Sequence, residues 1–310
     1  MTAVSYALRG LHGSESTRRR AADAAARLGY EADPIARALA SGTSGVVGVL
    51  CGSLTDLWQQ RLAAGLGRAL FASGRGGLIV DAAGDSQHQL ALAEKLVQQR
   101  VDALVVIPLD PLTRAWKRVA DEVGVITVGD ELVHASTRSA VLFDDSTAVS
   151  HALEEVAARG HQVVSLLTPE KSSRRRRPVE QAAADESRRH GIAISMTACS
   201  YELHEAAAVV ERLLQSAQPP TAVVAMADSM AYGAYSAARS LGLSIPRDLS
   251  VIGFDDHPMS ALLTPALTSY RWPLETIVDA ILERVEARTV DDVLLEAEPH
   301  ARDSVGPPPS

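Results

Sequence analysis

"TAVVAMADSMAYGAYSAARSLGLSIPRDLSVIGFDD", residues Thr221–Asp256, decides the fold. Thr221–Ala227 is a continuous apolar run, Ser250–Phe254 a second one, and Met230–Leu241 between them has amphipathic helical spacing. Strands that are apolar on both faces and separated by a helix belong to a parallel sheet covered on both sides. The same alternation runs outward along the chain. Further strands are predicted at Val46–Leu50, Leu78–Asp81, Ala103–Pro108, Val125–Val128, Val163–Leu167 and Ile192–Thr197. Helices are predicted at Trp58–Ser73, Gln87–Gln99, Arg114–Val123, Thr147–Arg159, Val179–His190 and Glu205–Ser216.

Two successive sets of such units, joined near Val141–Ser146, predict an α/β fold of two doubly wound parallel-sheet lobes. The helix expected at Pro273–Glu286 follows the second set, so the chain is expected to cross back and cap the first lobe. Lobe 1 then takes about 44–142 plus 273–288, and lobe 2 about 143–270 plus part of the C-terminal segment. The tail Asp303–Ser310, with three consecutive prolines, is expected to be disordered. A cleft between two such lobes, facing the strand C-termini, is where a small ligand is expected.

Composition narrows the class. The 310 residues are 46% hydrophobic and 22% charged, enough for a sizeable core in more than one domain. Cys51 and Cys199 lie far apart in apolar surroundings and read as reduced core thiols. No apolar stretch reaches membrane-spanning length and no signal-peptide core opens the chain, which points to the cytoplasm and away from a membrane. The nine histidines lack metal-ligand spacing, and there is no P-loop, no G-x-S-x-G elbow and no G-x-G-x-x-G after a strand. Neither an enzyme nor a cofactor is therefore expected. The net charge of −8 divides unevenly: residues 1–45 carry six arginines against four acids, leaving −10 for the remainder. A basic head on an acidic body suits a small nucleic-acid-binding unit joined to a sensor.

That head has its own pattern. Thr17 is placed to cap a helix whose Ala21, Ala24, Ala25 and Leu28 share one face, and Gly29 ends it. "PIARALASG" begins with a helix-starting proline but spans barely two turns, too short to be stable in water without a partner.

These stretches resemble the lactose-repressor/galactose-repressor family of transcription regulators. "VSYALRG" (Val4–Gly10) resembles the recognition helix of the family's helix-turn-helix head, "STRRRAADAAARLGY" its third helix, and "DPIARALASG" its hinge helix. The likeness continues through "GVVGVL" (Gly45–Leu50), "VDALVVIP" (Val101–Pro108), "RGH" (Arg159–His161), the Pro219–Asp256 block and "LTPALTSYRWP" (Leu263–Pro273). It implies a head at 1–43 and an effector-binding, dimerising core at 44–310. The family's first helix has no counterpart before Val4, and one residue is missing between "VSYALRG" and "TRRR". The head is thus partial, and a start upstream of Met1 is expected.

The resemblance also implies site residues. Thr2, Ala3, Ser5 and Tyr6 match positions facing the major groove, and Leu39, with Arg37 nearby, matches the hinge leucine that wedges into the minor groove of operator DNA. In the core, Asp56 and Trp58 match a polar group and a stacking aromatic. Arg177 matches an arginine opening a helix, although Glu180 and Gln181 stand where glycine and an aromatic are usual. Asp228 lies where the family has Asn-Asp, with Ala227 replacing the asparagine, and Asp255 ends "VIGFDD" as the acid that bonds ligand hydroxyls. Aspartates and an arginine around an aromatic plate suit a polyhydroxylated ring. A sugar or its derivative is the leading effector, and a nucleoside-like molecule follows. A homodimer is expected, because paired hinge helices read paired half-sites. The rival readings are a sensor core without competent DNA binding and a solute-binding protein of the same fold.

Overall fold

The structure is a computed structural model that describes residues 14–28, 42–169, 179–287 and 291–309. Thr2, Ala3, Ser5, Tyr6, Arg37, Leu39 and Arg177 lie outside the described residues. Of the head, the helix α1 (Glu15–Leu28) is described. Its cap is one turn earlier than the spacing predicts. Ser14 Oγ accepts the Thr17 backbone N–H at 3.3 Å, so Ser14, and not Thr17, serves the helix start.

The core consists of two α/β lobes, each around its own six-stranded sheet. In the first, β1 (Val46–Cys51), β2 (Gly76–Asp81), β3 (Ala103–Val106), β4 (Val125–Gly129) and β5 (Ser139–Phe143) are all parallel. The spatial order is β11-β5-β4-β3-β1-β2, where β11 (Val293–Leu295) arrives from the end of the chain and pairs parallel with β5. The second sheet uses β6 (Val163–Thr168), β7 (Ala193–Ala198), β8 (Ala222–Ala225), β9 (Ser250–Phe254), β10 (Thr268–Arg271) and β12 (Glu298–His300). Its order is β12-β10-β9-β8-β6-β7, with only the β10–β12 pair antiparallel. The central strands β1, β3, β8 and β9 are buried on both faces, which is why they read as unbroken apolar runs.

Helices cover both sheets. The first lobe carries α2 (Leu57–Ala72), α3 (Ser86–Gln98) and α4 (Trp116–Glu122). The second carries α5 (Asp145–Ala158), α6 (Val179–His190), α7 (Leu203–Leu214) and α8 (Asp228–Ser240). The late helix α9 (Leu274–Glu286) returns to pack on α2, β4 and β5 of the first lobe, as its position after the second set of strands predicts. The chain therefore crosses between lobes three times: from β5 to α5, from β10 to α9, and from β11 to β12. Aromatic rings line these crossings. Phe143 stacks on Trp272 at 4.6 Å between centroids, Trp58 meets Phe143 edge-on at 5.4 Å, and Phe254 stacks on Tyr270 at 5.0 Å.

The tail corrects the expectation of disorder. Ser304 donates through Oγ to Val251 O at 2.5 Å and accepts Thr268 N at 2.8 Å, while its carbonyl accepts Val251 N at 2.9 Å. Gly306 N donates to Ser250 Oγ at 3.0 Å, and Ser304 and Val305 are buried. Prolines lack a backbone donor, so Pro307–Pro309 leave no N–H to satisfy where they lie against the lobe. Composition pointed to disorder, and missed the start of β9, Ser250 and Val251, which receives the tail. Cys51 and Cys199 are buried and outside any disulfide, as expected of core thiols.

Candidate functional site

The loops at the strand C-termini face one another across the cleft. On the first lobe, β1 leads into a tight turn that ends at Asp56, the N-cap of α2. Asp56 accepts the Trp58 backbone N–H at 3.0 Å and Gln59 Nε2 at 3.1 Å. Gln59 Oε1 in turn accepts Gly52 N at 2.8 Å. This closed circuit fixes Asp56, which is only 4% exposed, and burial raises its carboxyl to about 6.

On the second lobe, β9 ends at Asp255 and Asp256, both with positive φ (103° and 46°), backbone conformations that non-glycine residues adopt only when surroundings hold them. The restraints are visible. Asp255 N donates to Tyr270 O at 2.7 Å, and Asp256 N to Ser269 Oγ at 3.0 Å. The Asp256 carboxylate takes Arg302 Nη2 at 2.5 Å and His300 Nδ1 at 3.2 Å. Asp255 Oδ2 accepts Asp228 N at 3.4 Å, serving the start of α8, where Ala227 at the N-cap has no side-chain acceptor. Burial raises the Asp255 carboxyl well above its usual range, and Asp56, Asp228 and Asp145 raise it further.

Asp228 plays a different part. It is 1% exposed, and its two oxygens accept Ser260 Oγ at 2.5 Å, Ser269 Oγ at 2.6 Å and His257 N at 2.8 Å. A Cβ on Gly253 would come within 2.2 Å of Asp228 Oδ1, which explains the glycine inside β9. Asp228 therefore anchors the loop that carries Asp255, from beneath. Trp58 packs its ring against Phe143, and its indole N–H has no hydrogen-bond partner among the described residues.

Of the residues the sequence marks, Asp56 and Asp255 come together, Asp228 supports Asp255, Trp58 stands at the crossover, and Arg177 is outside the described residues. Two further cleft residues were not anticipated. Asp145 opens α5 directly after the first crossover, where Asp144 caps the helix through Thr147. Burial, then Asp130 and Asp144, raise the Asp145 carboxyl to about 7. Tyr201, between β7 and α7, is held well above the usual phenol range by burial and then by Asp56, Asp255, Asp145 and Asp130. A signal for Asp145 was present: Phe-Asp-Asp occurs twice, at 143–145 and 254–256, once at the end of a strand in each lobe.

Across the mouth, Thr55 Oγ1 of the first lobe donates to the Glu202 carboxylate of the second. The arrangement can hold a polar molecule between acceptor groups on both walls. Among the described residues, no group of three or more metal-binding side chains is placed to hold an ion. No helix among them is long and apolar enough to cross a membrane.

Comparison with known proteins agrees with this geometry. A family model described as a periplasmic binding protein-like domain matches residues 153–309. The chain is 22% identical over 297 residues to catabolite control protein A of Priestia megaterium, an alignment covering 92% of this chain and 88% of that one. It is 25% identical over 267 residues to the transcriptional repressor CytR of Escherichia coli, covering 84% and 77%. Its fold is similar, at a TM-score of 0.72 and 22% identity, to a LacI family regulator from Enterococcus faecium solved with bound ribose, covering 84% of this chain and 99% of that one. With a family model matched over half its length and repressors of one type among its relatives, the chain belongs to the lactose-repressor/galactose-repressor family, built on a periplasmic binding protein-like core.

Proposed function

We propose that this protein is a transcriptional repressor whose hold on operator DNA is set by a small polar effector, a sugar or sugar derivative, bound between the lobes. The observation that carries the reading is the convergence of Asp56 and Asp255 from opposite lobes on one cleft, within a fold whose relatives are repressors. Carboxylates accept hydrogen bonds from ring hydroxyls, and a ligand touching both walls favours the closed arrangement of the lobes. DNA contact is assigned to the head, through Thr2, Ala3, Ser5 and Tyr6, and to the hinge residues Arg37 and Leu39. Arg177, Trp58 and Asp228 complete the ligand set read from the family pattern, with Asp228 acting through the loop it anchors. The core at 44–310 is read as the unit that binds effector and dimerises.

A homodimer is part of the proposal. The edge strands β2 and β7 each pair on one side only, and exposed apolar side chains gather there and close by: Leu78 and Ile79 on β2, Phe71 at the end of α2, and Met196 on β7. Such edges invite a partner, and a second copy of this chain is the occupant that palindromic half-sites require.

The test is operator binding by the full chain, first on fragments from its own promoter region, then with a panel of sugars, sugar phosphates and nucleosides. The expected result is binding that at least one panel member changes, and that Asp255→Asn no longer lets it change. Full response in Asp255→Asn removes Asp255 from the site. No DNA binding by a well-folded chain favours a sensor acting without DNA contact of its own.

A further inference from the structure

The chain enters the core through a clasp made by one side chain. The first sheet begins at Val46, and the two residues before it, Ser44 and Gly45, are held by Asp102 at the foot of β3. Ser44 N donates to Asp102 Oδ1 at 2.7 Å and Gly45 N to Asp102 Oδ2 at 2.9 Å, so successive backbone donors take both carboxylate oxygens. The Ser44 hydroxyl adds a bond to Oδ1 at 3.1 Å. Asp102 also grips with its backbone, its N–H donating to Val46 O at 2.8 Å. Arg75 Nη1 stands 3.8 Å from Oδ2 and balances the charge. A residue 58 positions further along the chain thus holds Ser44, Gly45 and Val46 together. Bonds from N–H groups to a carboxylate are roughly twice as strong as those between neutral groups.

Around the clasp the backbone is built to turn. Gly42 and Gly45 both have positive φ, 73° and 72°. A Cβ at either would meet no atom within 4 Å, so the conformation, not the space, calls for glycine. The sheet does not supply the missing restraint. β1 pairs with β2 from Val46 and with β3 from Val47, and the Gly76 N bond to Gly45 O at 2.8 Å does not reach Ser44. Resting on the reading of the chain as a dimeric repressor, we propose that Asp102 is a positioning residue for DNA binding. By clasping Ser44 and Gly45 it fixes the direction in which the chain leaves the first lobe toward the head, so that lobe and head move as one body. Asp102 stands before the first residue of β3, at the opposite end of the strand from the cleft, and acts through the two residues it holds.

A loose joint weakens paired binding before anything else. Two heads carried by a dimer meet two half-sites, and the second engagement gains from its tether only when the tether presents it in the right direction. A swivelling exit keeps the contacts of each head and loses part of that gain. A residue that merely completed the fold would behave differently. Its loss would lower stability, and would weaken single-site and paired binding alike.

The experiment compares the full chain with its Asp102→Asn and Asp102→Ala variants. Asparagine keeps the shape of the side chain but turns an NH₂ toward one of the two donors. Affinity is measured for a promoter-region fragment that the wild type protects, intact and with one half-site scrambled. Urea unfolding and amide exchange by mass spectrometry are followed without DNA. The expected result is a loss of about tenfold or more on the intact fragment, with little change on the scrambled one and a urea midpoint near that of the wild type. Exchange is expected to quicken at Ser44 and Gly45 and to stay unchanged in β1 and β3. Wild-type affinity for the intact fragment in both variants overturns the proposal. An equal loss on both fragments, or a loss that accompanies a lowered urea midpoint, overturns it too, because either marks a defect of the fold. A wild-type chain that holds no fragment counts against the repressor reading instead. Exchange then judges the clasp alone, and Ser44 and Gly45 exchanging equally fast in wild type and variants overturns it.

Discussion

At the scale of the residue, the cleft separates two kinds of aspartate. Asp228 is enclosed by three donors, and one of them, the His257 backbone N–H, cannot reverse its role as a hydroxyl can. An amide in its place directs an NH₂ at one of these groups. Asp228→Asn is therefore expected to lower the unfolding free energy by about 1–3 kcal/mol, the penalty for a buried group left unpaired, as measured by urea denaturation. Asp255→Asn should leave folding nearly intact and instead weaken effector binding by about 1.5–3 kcal/mol, the range for a hydrogen bond to a charged group. Asp145 differs from both, because no donor in its own helix compensates its burial. Its carboxyl stands at about 7 in the fold and near 4 in an unfolded chain. The protonated form fits the fold, so Asp145 imposes no penalty below pH 4, and the penalty grows as pH rises to 7. Asp145→Asn is expected to stabilise the protein at pH 8 by on the order of 2–4 kcal/mol and to change little at pH 4. Equal effects at the two pH values would contradict that account of the site.

Elements show why some of this was legible in the sequence and some was not. Strands β1, β3, β8 and β9 announce themselves because both faces are buried, so their apolar runs are unbroken. β10, β11 and β12 hold three or four residues each and are recruited by a neighbour's edge, information that local pattern does not contain. The tail is the same case: Ser304 and Gly306 are ordered by β9, not by their own propensities. His161 shows what the docking secures. Its ring is buried, bonded to Thr221 Oγ1 at 2.8 Å, Ser250 Oγ at 3.0 Å and Gly306 O at 3.0 Å, so the "RGH" motif marks a tail-binding residue of the second lobe. Deleting residues 303–310 removes one of these partners and the Ser304 bonds together. The expected result is loss of several kcal/mol of second-lobe stability, at about 0.5–1.5 kcal/mol per hydrogen bond, and faster amide exchange in β9. Helix packing gives a sharper test. A Cβ on Gly233 of α8 would lie 2.6 Å from Ala206 Cβ and 2.8 Å from Ala207 N of α7. Gly233→Ala gains helix propensity but must push two helices apart, and a net loss of about 1–3 kcal/mol is expected by thermal or urea unfolding.

Across the whole molecule, the question is how a change in the cleft reaches DNA. The lobes are tied by three crossings, and Phe143, Trp272 and Trp58 pack at the first two of them. Rings stacked at 4.6 Å can pivot as the lobes move without opening a gap, so closure is expected as a hinge motion about this cluster. In a dimer, motion of one lobe against the other changes the distance between the two heads, and the sensitivity of operator binding depends on that geometry. The proposed dimer must then form through surfaces that do not move apart on closure. The β2 edge meets this need on the first lobe. Phe71 is 83% exposed beside the half-exposed pair Leu78 and Ile79, an apolar group that a monomer would leave in water. Phe71→Glu/Ile79→Glu puts two charges into a two-fold contact, hence four across the paired copies. The expected outcome is a shift from dimer to monomer at micromolar concentration by equilibrium sedimentation, with the unfolding of each chain little changed because both side chains are exposed. Effector binding should persist in the monomer, since Asp56, Asp145 and Asp255 all come from one chain, while operator binding should fall steeply. A variant that remains dimeric would place the interface elsewhere, and a monomer that still holds a palindromic operator would separate DNA recognition from dimerisation altogether.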